Sequence, residues 1–263
     1  MVLCAFGMDY YWVNENRTRK PFRYGDFNIG ETLRDTEDAR KEIADWIGTE
    51  KQRLNEKMAK ECDTIVAGLY EYLAIYEPLF PKKTEFIPFP IVCDDDTPTI
   101  EFHKDGEPIK IFIGINKSRS AYKGTDIMLK AAKEVESKYP DKLKLTVVES
   151  VPFDEYRKMM MSCDAIVDQL YSYTPSMNPL EAMSHGLICI GGGEPENYEV
   201  LNETELRPIV NVEPTIKSVY SQIENMVLHP ENISTMQRQS IEYIRKHHDY
   251  IKVAKQYEKL YMK

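Results

Sequence analysis

The stretch CDAIVDQLYSYTPSMNPLEAMSHGLICI, residues 163–190, contains the elements that decide the fold. Asp164–Val167 is mainly apolar and has the length of a buried strand, and Leu187–Ile190 is a second run of this kind. Between them, a loop that contains Asp168 leads into a segment of helical period at Asn178–His185. A strand, a helix and a strand in this order are typical of a parallel sheet covered by helices.

The same alternation of strands and helices continues on both sides of this stretch. Further strands are predicted from apolar runs at Val2–Phe6, Thr64–Ala67, Lys110–Ile115, Lys144–Glu149 and Pro208–Val212, with a weaker one at Glu85–Phe89. Further helices are predicted at Glu37–Lys60, Gly68–Leu79, Thr125–Lys138, Phe153–Met161, Thr215–Leu228 and Asn232–Tyr261. Residues 13–36 show no clear period and predict a long loop. The fold class is therefore α/β, with mainly parallel strands.

A polar segment, Asp94-Asp95-Asp96-Thr97-Pro98, marks the predicted domain boundary. We expect a first Rossmann-like domain over residues 1–95, a second one over 96–230, and a C-terminal helix over 231–263. The second domain has five predicted strands, enough for a complete open sheet. The first has two clear strands and one weaker strand, so the sequence predicts that this domain is partial.

Composition restricts the function classes. The chain has 263 residues, 42% of them hydrophobic, and a net charge of −9, which disfavours nucleic acid as a partner. Its five cysteines are odd in number and form no CxxC pair, a pattern that favours neither a disulfide framework nor a metal site. No apolar run is long enough to span a bilayer, and the start lacks the features of a signal peptide. We expect a cytoplasmic protein without a transmembrane segment, a location compatible with peripheral contact with a membrane.

Two cations, Arg119 and Lys123, follow the predicted strand Lys110–Ile115. The carboxyl ends of parallel strands form the edge of the sheet where ligands of such folds bind. A planar guanidinium and the point charge of a lysine together suit a diphosphate. From these residues alone, the alternative that both are solvated cations beside a helix start stays open.

The helix predicted at Asn178 offers a second anion-binding feature, since its first backbone N–H groups have no partner within the helix. Glu181 has two interpretations, because Asn178-Pro179-Leu180-Glu181 also matches a capping box, in which the carboxylate serves the helix start. A third loop, Gly191-Gly192-Gly193-Glu194, follows a predicted strand. Its glycines and Glu194 suit either close approach to a sugar or a plain turn before a helix.

The order of these features resembles a known family. Lys123-Gly124, an amphipathic helix, an acidic residue in a strand-to-helix loop, and then Glu181-Ala-Met-Ser-His-Gly186 before a short strand are similar to the donor domain of GT-B glycosyltransferases related to family 4, the group 1 glycosyltransferases. The similarity is good over residues 105–200 and weaker elsewhere. It implies a GT-B-like fold of twin Rossmann-type domains, the first one partial here.

The resemblance also implies a function. Such an enzyme moves a sugar from a nucleotide diphosphate sugar to a glycan or lipid-linked acceptor, with retention of configuration and without a metal or other cofactor, as in polysaccharide biosynthesis. By this resemblance, Arg119 and Lys123 are the catalytic cations that hold the diphosphate, and Glu181 binds the ribose. The remaining donor-binding positions are Ser176, Met177, Asn178, Tyr173 and Glu194. The C-terminal helix would brace the first domain.

One departure from the family pattern affects the sugar. Tyr173 stands eight residues before Glu181, where the family has a second glutamate, and a phenol brings no carboxylate. Asp168 is the nearby carboxylate that could replace it if the loop bends toward the donor. Two alternatives to a transferase therefore stay open: a noncatalytic nucleotide-sugar-binding or partner subunit, and a GT-B-type nucleotide-sugar epimerase.

Overall fold

The computed structural model describes residues 1–94 and 96–262. The chain divides into two compact units, the first formed by Met1–Phe89 with the residues from Lys259 onward, the second by Pro90–Glu258. Each unit contains a parallel sheet and helices, so the fold is mixed α/β. Within the described part of the chain, no helix combines the length and the apolar character needed to cross a membrane.

The first unit is built on three parallel strands in the order β1-β4-β5. This agrees with the three strands predicted before residue 90. Its elements in chain order are β1 (Val2–Ala5), α1 (Tyr10–Thr18), β2 (Asn28–Ile29), β3 (Thr32–Leu33), α2 (Glu37–Trp46), α3 (Glu50–Glu61), β4 (Thr64–Ala67), α4 (Tyr70–Tyr76) and β5 (Thr84–Phe86).

Two predictions for the first unit are wrong. The long loop predicted over residues 13–36 contains most of α1 and the β2–β3 hairpin. Helix α1 begins after Asp9, whose carboxylate accepts the Trp12 N–H at 2.8 Å and so caps it. The single helix predicted over residues 37–60 is divided into α2 and α3, because Gly48 follows the C-cap Ile47 with a φ of +76°, in the left-handed region where helices end. The Thr49 hydroxyl donates to the Asp45 carbonyl at 3.0 Å in the last turn of α2.

The second unit contains five parallel strands in the order β10-β9-β8-β6-β7. All five strands predicted there are present, with ends shifted by no more than two residues. The elements are β6 (Ile109–Ile115), α5 (Ser120–Lys123), α6 (Thr125–Lys138), β7 (Leu143–Glu149), α7 (Phe153–Met160), β8 (Ala165–Val167), α8 (Met177–Ser184), β9 (Ile188–Gly191), α9 (Pro195–Val200), β10 (Val210–Asn211), α10 (Ile216–Leu228), α11 (Ile233–His247) and most of α12 (Tyr250–Tyr261), whose residues from Lys259 onward belong to the first unit.

Burial explains why these apolar runs form the centre of the sheet. Alternate residues of β6, Ile111 and Ile113, lie in a core with α6 and α10, while Phe112 lies in a second core that includes Ile166 of β8. All four side chains are fully buried. Helices therefore cover both faces of the strand, as they do in parallel sheets.

The single helix predicted over residues 232–261 is wrong, since α11 and α12 are separate. Asp249 ends the first helix and caps the second, because its carboxylate accepts two backbone N–H groups from the first turn of α12, at 2.8 and 3.0 Å. Ile91 forms two backbone hydrogen bonds on either side of Asp249: its N–H donates to the His248 carbonyl at 2.7 Å, and its carbonyl accepts the Tyr250 N–H at 3.1 Å. A distant segment of the chain thus occupies the break, and no helical period could reveal it.

Candidate functional site

The carboxyl ends of β6 and β8 form the switch point of the five-stranded sheet. Strand β6 lies between β7 and β8, so the connections that leave these strands turn to opposite sides. Such a divergence opens a crevice where open α/β sheets bind ligands. A cavity of about 290 Å³ lies here. Its lining includes Asn116, Lys123 and Thr125 from the first connection and Asp168, Ser176 and Asn178 from the second.

Gly124 holds the two connections together. Its φ of +73° is in the left-handed region, and an added Cβ would lie 2.6 Å from the Leu170 Cβ and 2.7 Å from the Tyr171 ring. The Leu170 N–H also donates to the Lys123 carbonyl at 2.8 Å. The structure therefore explains why a glycine follows Lys123: only glycine permits the contact that brings Lys123 beside the loop after β8.

Asp168 is a buried carboxylate in the lining of this cavity, with 8% of its surface exposed. Its two oxygens accept the Ser176 N–H at 3.2 Å and the Ser176 hydroxyl at 3.0 Å. Burial raises the pKa of Asp168, and the positive charge of Lys123 acts in the opposite direction. The carboxylate is thus fixed in the cavity near a cation.

Helix α8 begins earlier than the sequence predicted. Ser176 is its N-cap and Met177 its first residue, so Asn178 lies in the first turn and Glu181 in the second. The capping-box interpretation of Glu181 is therefore wrong. In the described part of the chain, the backbone N–H groups of Met177 and Asn178 have no hydrogen-bond partner, whereas that of Ser176 is bound by Asp168.

A second and larger depression, of about 660 Å³, adjoins the cavity. Asn178 lines both, and its amide donates to the Tyr156 hydroxyl at 3.0 Å on the cavity side. Met177 and Glu181 line the larger depression, so the structure brings three of the predicted donor-binding residues to it. The Glu181 carboxylate is 42% exposed and its Oε1 lies 3.9 Å from the Arg157 Nε.

Three other predicted residues do not line the cavity. The Arg119 guanidinium lies over the Tyr122 ring, 4.9 Å from its centroid. Tyr173 is 2% exposed and packs inside the unit. The Glu194 carboxylate is also buried and accepts the Asn211 amide at 3.1 Å.

The glycine run after β9 is packed by protein. A Cβ on Gly192 would lie 2.4 Å from the Ser172 carbonyl oxygen. Glycine therefore lets this strand end approach the loop after β8, and the plain-turn interpretation of the run is the one that its contacts favour. Among the described residues, no group of histidine, cysteine and carboxylate side chains could hold a metal ion.

Arg157 and His185 are site residues that the sequence analysis missed. Both line the larger depression with Glu181. One signal was present: His185 follows Glu181 by four residues, a spacing that places both on one side of a helix. Arg157 carried no comparable signal, because a lone arginine on an amphipathic helix is usually a solvated surface residue.

The sequence matches no protein-family model and no curated protein. Solved structures do match its fold. HepE of Anabaena has a TM-score of 0.61 at 9% identity, and the match covers 99% of this chain and 71% of the HepE chain. A TarM mutant of S. aureus has a TM-score of 0.58 at 13% identity, and the match covers 81% of this chain and 46% of the TarM chain. Sucrose-phosphate synthase of Thermosynechococcus elongatus has 0.54 at 13% identity, over 82% and 63%.

These neighbours share the GT-B glycosyltransferase fold, and the Rossmann-like α/β architecture predicted from the sequence is confirmed. The chain spans about half the length of TarM. The TarM structure contains fondaparinux, α-GlcNAc-glycerol and UDP, and the HepE structure contains UDP and glucose.

Proposed function

We propose that this chain binds a nucleotide diphosphate sugar at the carboxyl ends of β6 and β8 and serves a glycosyltransferase, moving the sugar to a glycan or lipid-linked acceptor. The supporting observation is that Lys123 and the start of α8 meet at one cavity, at the switch point of a parallel sheet. The UDP complexes of TarM and HepE, which share the fold, make a uridine nucleotide the first donor to test.

In this function, the site must stabilise the negative charge of the leaving diphosphate. The ammonium group of Lys123 neutralises charge that develops on the phosphate oxygens, and the two open N–H groups at the start of α8 donate to them. Each well-placed donor of this kind contributes about 3 kcal/mol to catalysis. We propose Arg119 as a second cation, reaching the phosphates when its guanidinium leaves the Tyr122 ring. A metal-independent mechanism with retention of configuration is part of the proposal.

We assign the sugar contact to Asp168 in place of Tyr173. Tyr173 is buried, whereas Asp168 lines the cavity. A carboxylate has about four acceptor sites, and Ser176 uses one on each oxygen, so sites remain for sugar hydroxyls. Glu181 is assigned to the ribose because it is exposed in the adjoining depression.

The second candidate is a nucleotide-sugar-binding subunit without transferase activity. One observation in the first unit favours it. The oxygens of Asp9, the carboxylate that follows β1, already accept the Trp12 N–H at 2.8 Å and the Tyr76 hydroxyl at 2.6 Å, so Asp9 is poorly placed to activate an acceptor hydroxyl. Both candidates require the donor site, and both place it in the cytoplasm, where nucleotide sugars are available.

Calorimetry with a panel of nucleoside diphosphates tests the donor site. For the nucleotide that binds best, we expect Lys123→Ala to lower the affinity about tenfold, since a hydrogen bond to a charged group contributes roughly 1.5 to 3 kcal/mol. Lys130→Ala is the matched control, because Lys130 is an exposed lysine of α6 outside the cavity lining. Equal affinities for wild type and Lys123→Ala would refute the phosphate assignment.

A further inference from the structure

Two further depressions lie beside β10, the edge strand of the five-stranded sheet. One, of about 660 Å³, is lined by α9 and by the loop that precedes β10; the other, of about 270 Å³, is lined by β10, α10 and the start of α11. Asn211 lines both, so the two adjoin, and we call them together the β10 site. Among the described residues, none that lines the β10 site also lines the cavity at Lys123 or its adjoining depression.

Carboxamides are the main polar groups of the β10 site. Among the described residues, five of them line it: Asn202, Asn211, Gln222, Asn225 and Asn232. Apart from that of Asn211, their side chains form no hydrogen bond with the described part of the chain. A carboxamide both donates and accepts hydrogen bonds, as neighbouring hydroxyls of a sugar do. Four such groups are therefore available to a ligand that carries hydroxyls.

Asn211 is held in place at the junction of the two depressions. Its Oδ1 accepts the Gly193 N–H at 2.9 Å, and its amide donates to the Glu194 carboxylate at 3.1 Å. One N–H and one lone pair of the carboxamide remain for a ligand. Because the side chain is already ordered, a ligand that binds it has less conformational entropy to remove.

A buried ion pair fixes the loop that forms one wall of the larger depression. The Glu203 side chain is fully buried, and its Oε2 lies 2.8 Å from the Lys246 Nζ and 2.5 Å from the His247 Nε2. Its Oε1 accepts the backbone N–H groups of Glu205 and Leu206, at 2.8 and 3.0 Å. The loop is therefore attached to α11, and this wall is formed before any ligand binds.

The charges of the β10 site favour an uncharged ligand. Among its described lining residues, the smaller depression has no carboxylate, lysine or arginine, and the imidazole of His229 lies 3.2 Å from Glu231. In the larger depression, one exposed carboxylate, Glu199, offsets one exposed cation, Arg207. A phosphate needs an uncompensated cation, which the cavity at Lys123 offers and the β10 site does not.

The floor of the smaller depression is apolar. Val210, Met226 and Ile233 are buried there, and Met236 is half-buried, whereas the carboxamides of α10 and α11 at its rim are half-buried or exposed. A sugar ring has a face of C–H groups and an edge of hydroxyls. An apolar floor with a polar rim matches both parts of such a ring.

The β10 site and the cavity at Lys123 lie at the same edge of the sheet. Asn211 is the last residue of β10, and the cavity lies at the carboxyl ends of β6 and β8. Only β9 separates β10 from β8, and neighbouring strands are about 4.8 Å apart, so the two strand ends are about 10 Å apart. A short oligosaccharide is long enough to extend from one site toward the other.

We propose that the β10 site is a noncatalytic subsite for an uncharged glycan chain. Its role in transfer rests on the proposed function: the glycan is then the acceptor, held at a distance from the hydroxyl that reacts. The binding of a glycan at β10 does not depend on transfer, and it is tested separately.

Methionine methyl NMR locates each ligand, because Met226 and Met236 line the β10 site and Met177 lines the depression beside the cavity. Met226→Leu, Met236→Leu and Met177→Leu, which nearly conserve volume, assign the three signals. The probes are neutral tetrasaccharides of glucose, galactose, mannose or N-acetylglucosamine, and the nucleoside diphosphate that binds wild type best. We expect at least one tetrasaccharide to shift Met226 and Met236, and the nucleotide to shift Met177 alone of the three.

Asn225→Ala removes one free carboxamide, and α10 should persist because alanine is the better helix former. We expect the tetrasaccharide affinity to fall about fivefold, as for the loss of one hydrogen bond, and the nucleotide affinity to stay unchanged. Gln256→Ala is the matched control, since it removes an exposed carboxamide of α12 outside the lining of the β10 site, and it should change neither affinity.

The outcomes separate the glycan subsite from the donor site. The subsite is overturned if no tetrasaccharide shifts Met226 and Met236, if Asn225→Ala binds the tetrasaccharide like wild type, or if saturating nucleotide displaces it. If the tetrasaccharide binds as expected and no nucleotide binds, the proposed function is overturned and the glycan subsite stands.

Discussion

The interpretation of Glu181 changes once the start of helix α8 is known. It lies in the second turn of α8 and its carboxylate is 42% exposed, so no helix cap depends on it. We expect Glu181→Gln to change the free energy of unfolding by no more than about 0.5 kcal/mol, as surface substitutions usually do. Loss of the charge-assisted bond to the ribose should weaken nucleotide binding about tenfold. Thermal melts and calorimetry measure the two effects.

Glu155→Gln is the control for this prediction, since it removes an exposed carboxylate of α7 that does not line the larger depression. Its nucleotide affinity should equal that of wild type. A Glu181→Gln protein that loses about 1 kcal/mol of stability and keeps its affinity would contradict the ribose assignment and return Glu181 to a structural role.

At the scale of elements, the backbone conformation of Gly124 determines where Lys123 lies in the site. Alanine at φ +73° costs about 1 kcal/mol, and its Cβ would overlap Leu170 and Tyr171, which costs roughly 1 to 3 kcal/mol more. We expect Gly124→Ala to lower the melting temperature by several degrees. Nucleotide affinity should fall as well, because the contact that places Lys123 is displaced.

Gly106→Ala separates backbone strain from overlap. Gly106 also has a positive φ, +87°, but an added Cβ would meet no atom within 4 Å. This variant should lose only about 1 kcal/mol and keep the affinity of wild type. If Gly124→Ala is no worse than Gly106→Ala in either measurement, the packing of the Lys-Gly pair does not position the site.

The elements that sequence predicted well are those whose burial leaves a local pattern. Ile111, Phe112 and Ile113 are apolar because both faces of β6 are covered, and the run alone reveals the strand. The first helix break lies at Gly48, whose φ is +76°, and the second depends on the capping side chain of Asp249 and on backbone contacts of Ile91, far away in sequence. Periodicity carries no information about such contacts, so two pairs of helices were merged into single ones.

At the scale of the whole molecule, the sequence predicted which elements meet at the cavity better than it predicted which side chains line it. Lys123 and the start of α8 could be predicted to meet, because both follow strands of one parallel sheet. The burial of Tyr173 and Glu194 could not be predicted, because it depends on how the loop after β8 folds against β9 and β10. The same folding puts Asp168, considered only as a substitute, into the cavity.

The last prediction concerns turnover: we expect the 263-residue chain to bind a nucleotide sugar but to transfer the sugar slowly. Transfer needs a positioned acceptor as well as a bound donor, and orientation of the two reactants provides a large part of the rate enhancement. In the first unit, the carboxylate that follows β1, Asp9, is committed to the Trp12 N–H and the Tyr76 hydroxyl. Asp9 is therefore poorly placed to activate an acceptor hydroxyl.

The measurement is release of free nucleotide from a panel of nucleotide sugars, with and without glycan acceptors, at donor concentrations that calorimetry shows to be saturating. Binding without acceptor-dependent release supports the binding-subunit candidate for this chain. Brisk acceptor-dependent release, abolished by Lys123→Ala and unchanged by Lys130→Ala, would show that these residues suffice for transfer. In that case Asp9→Asn tests the source of the base: because an amide oxygen can still cap α1, retained activity would show that the acceptor hydroxyl loses its proton to a group other than Asp9.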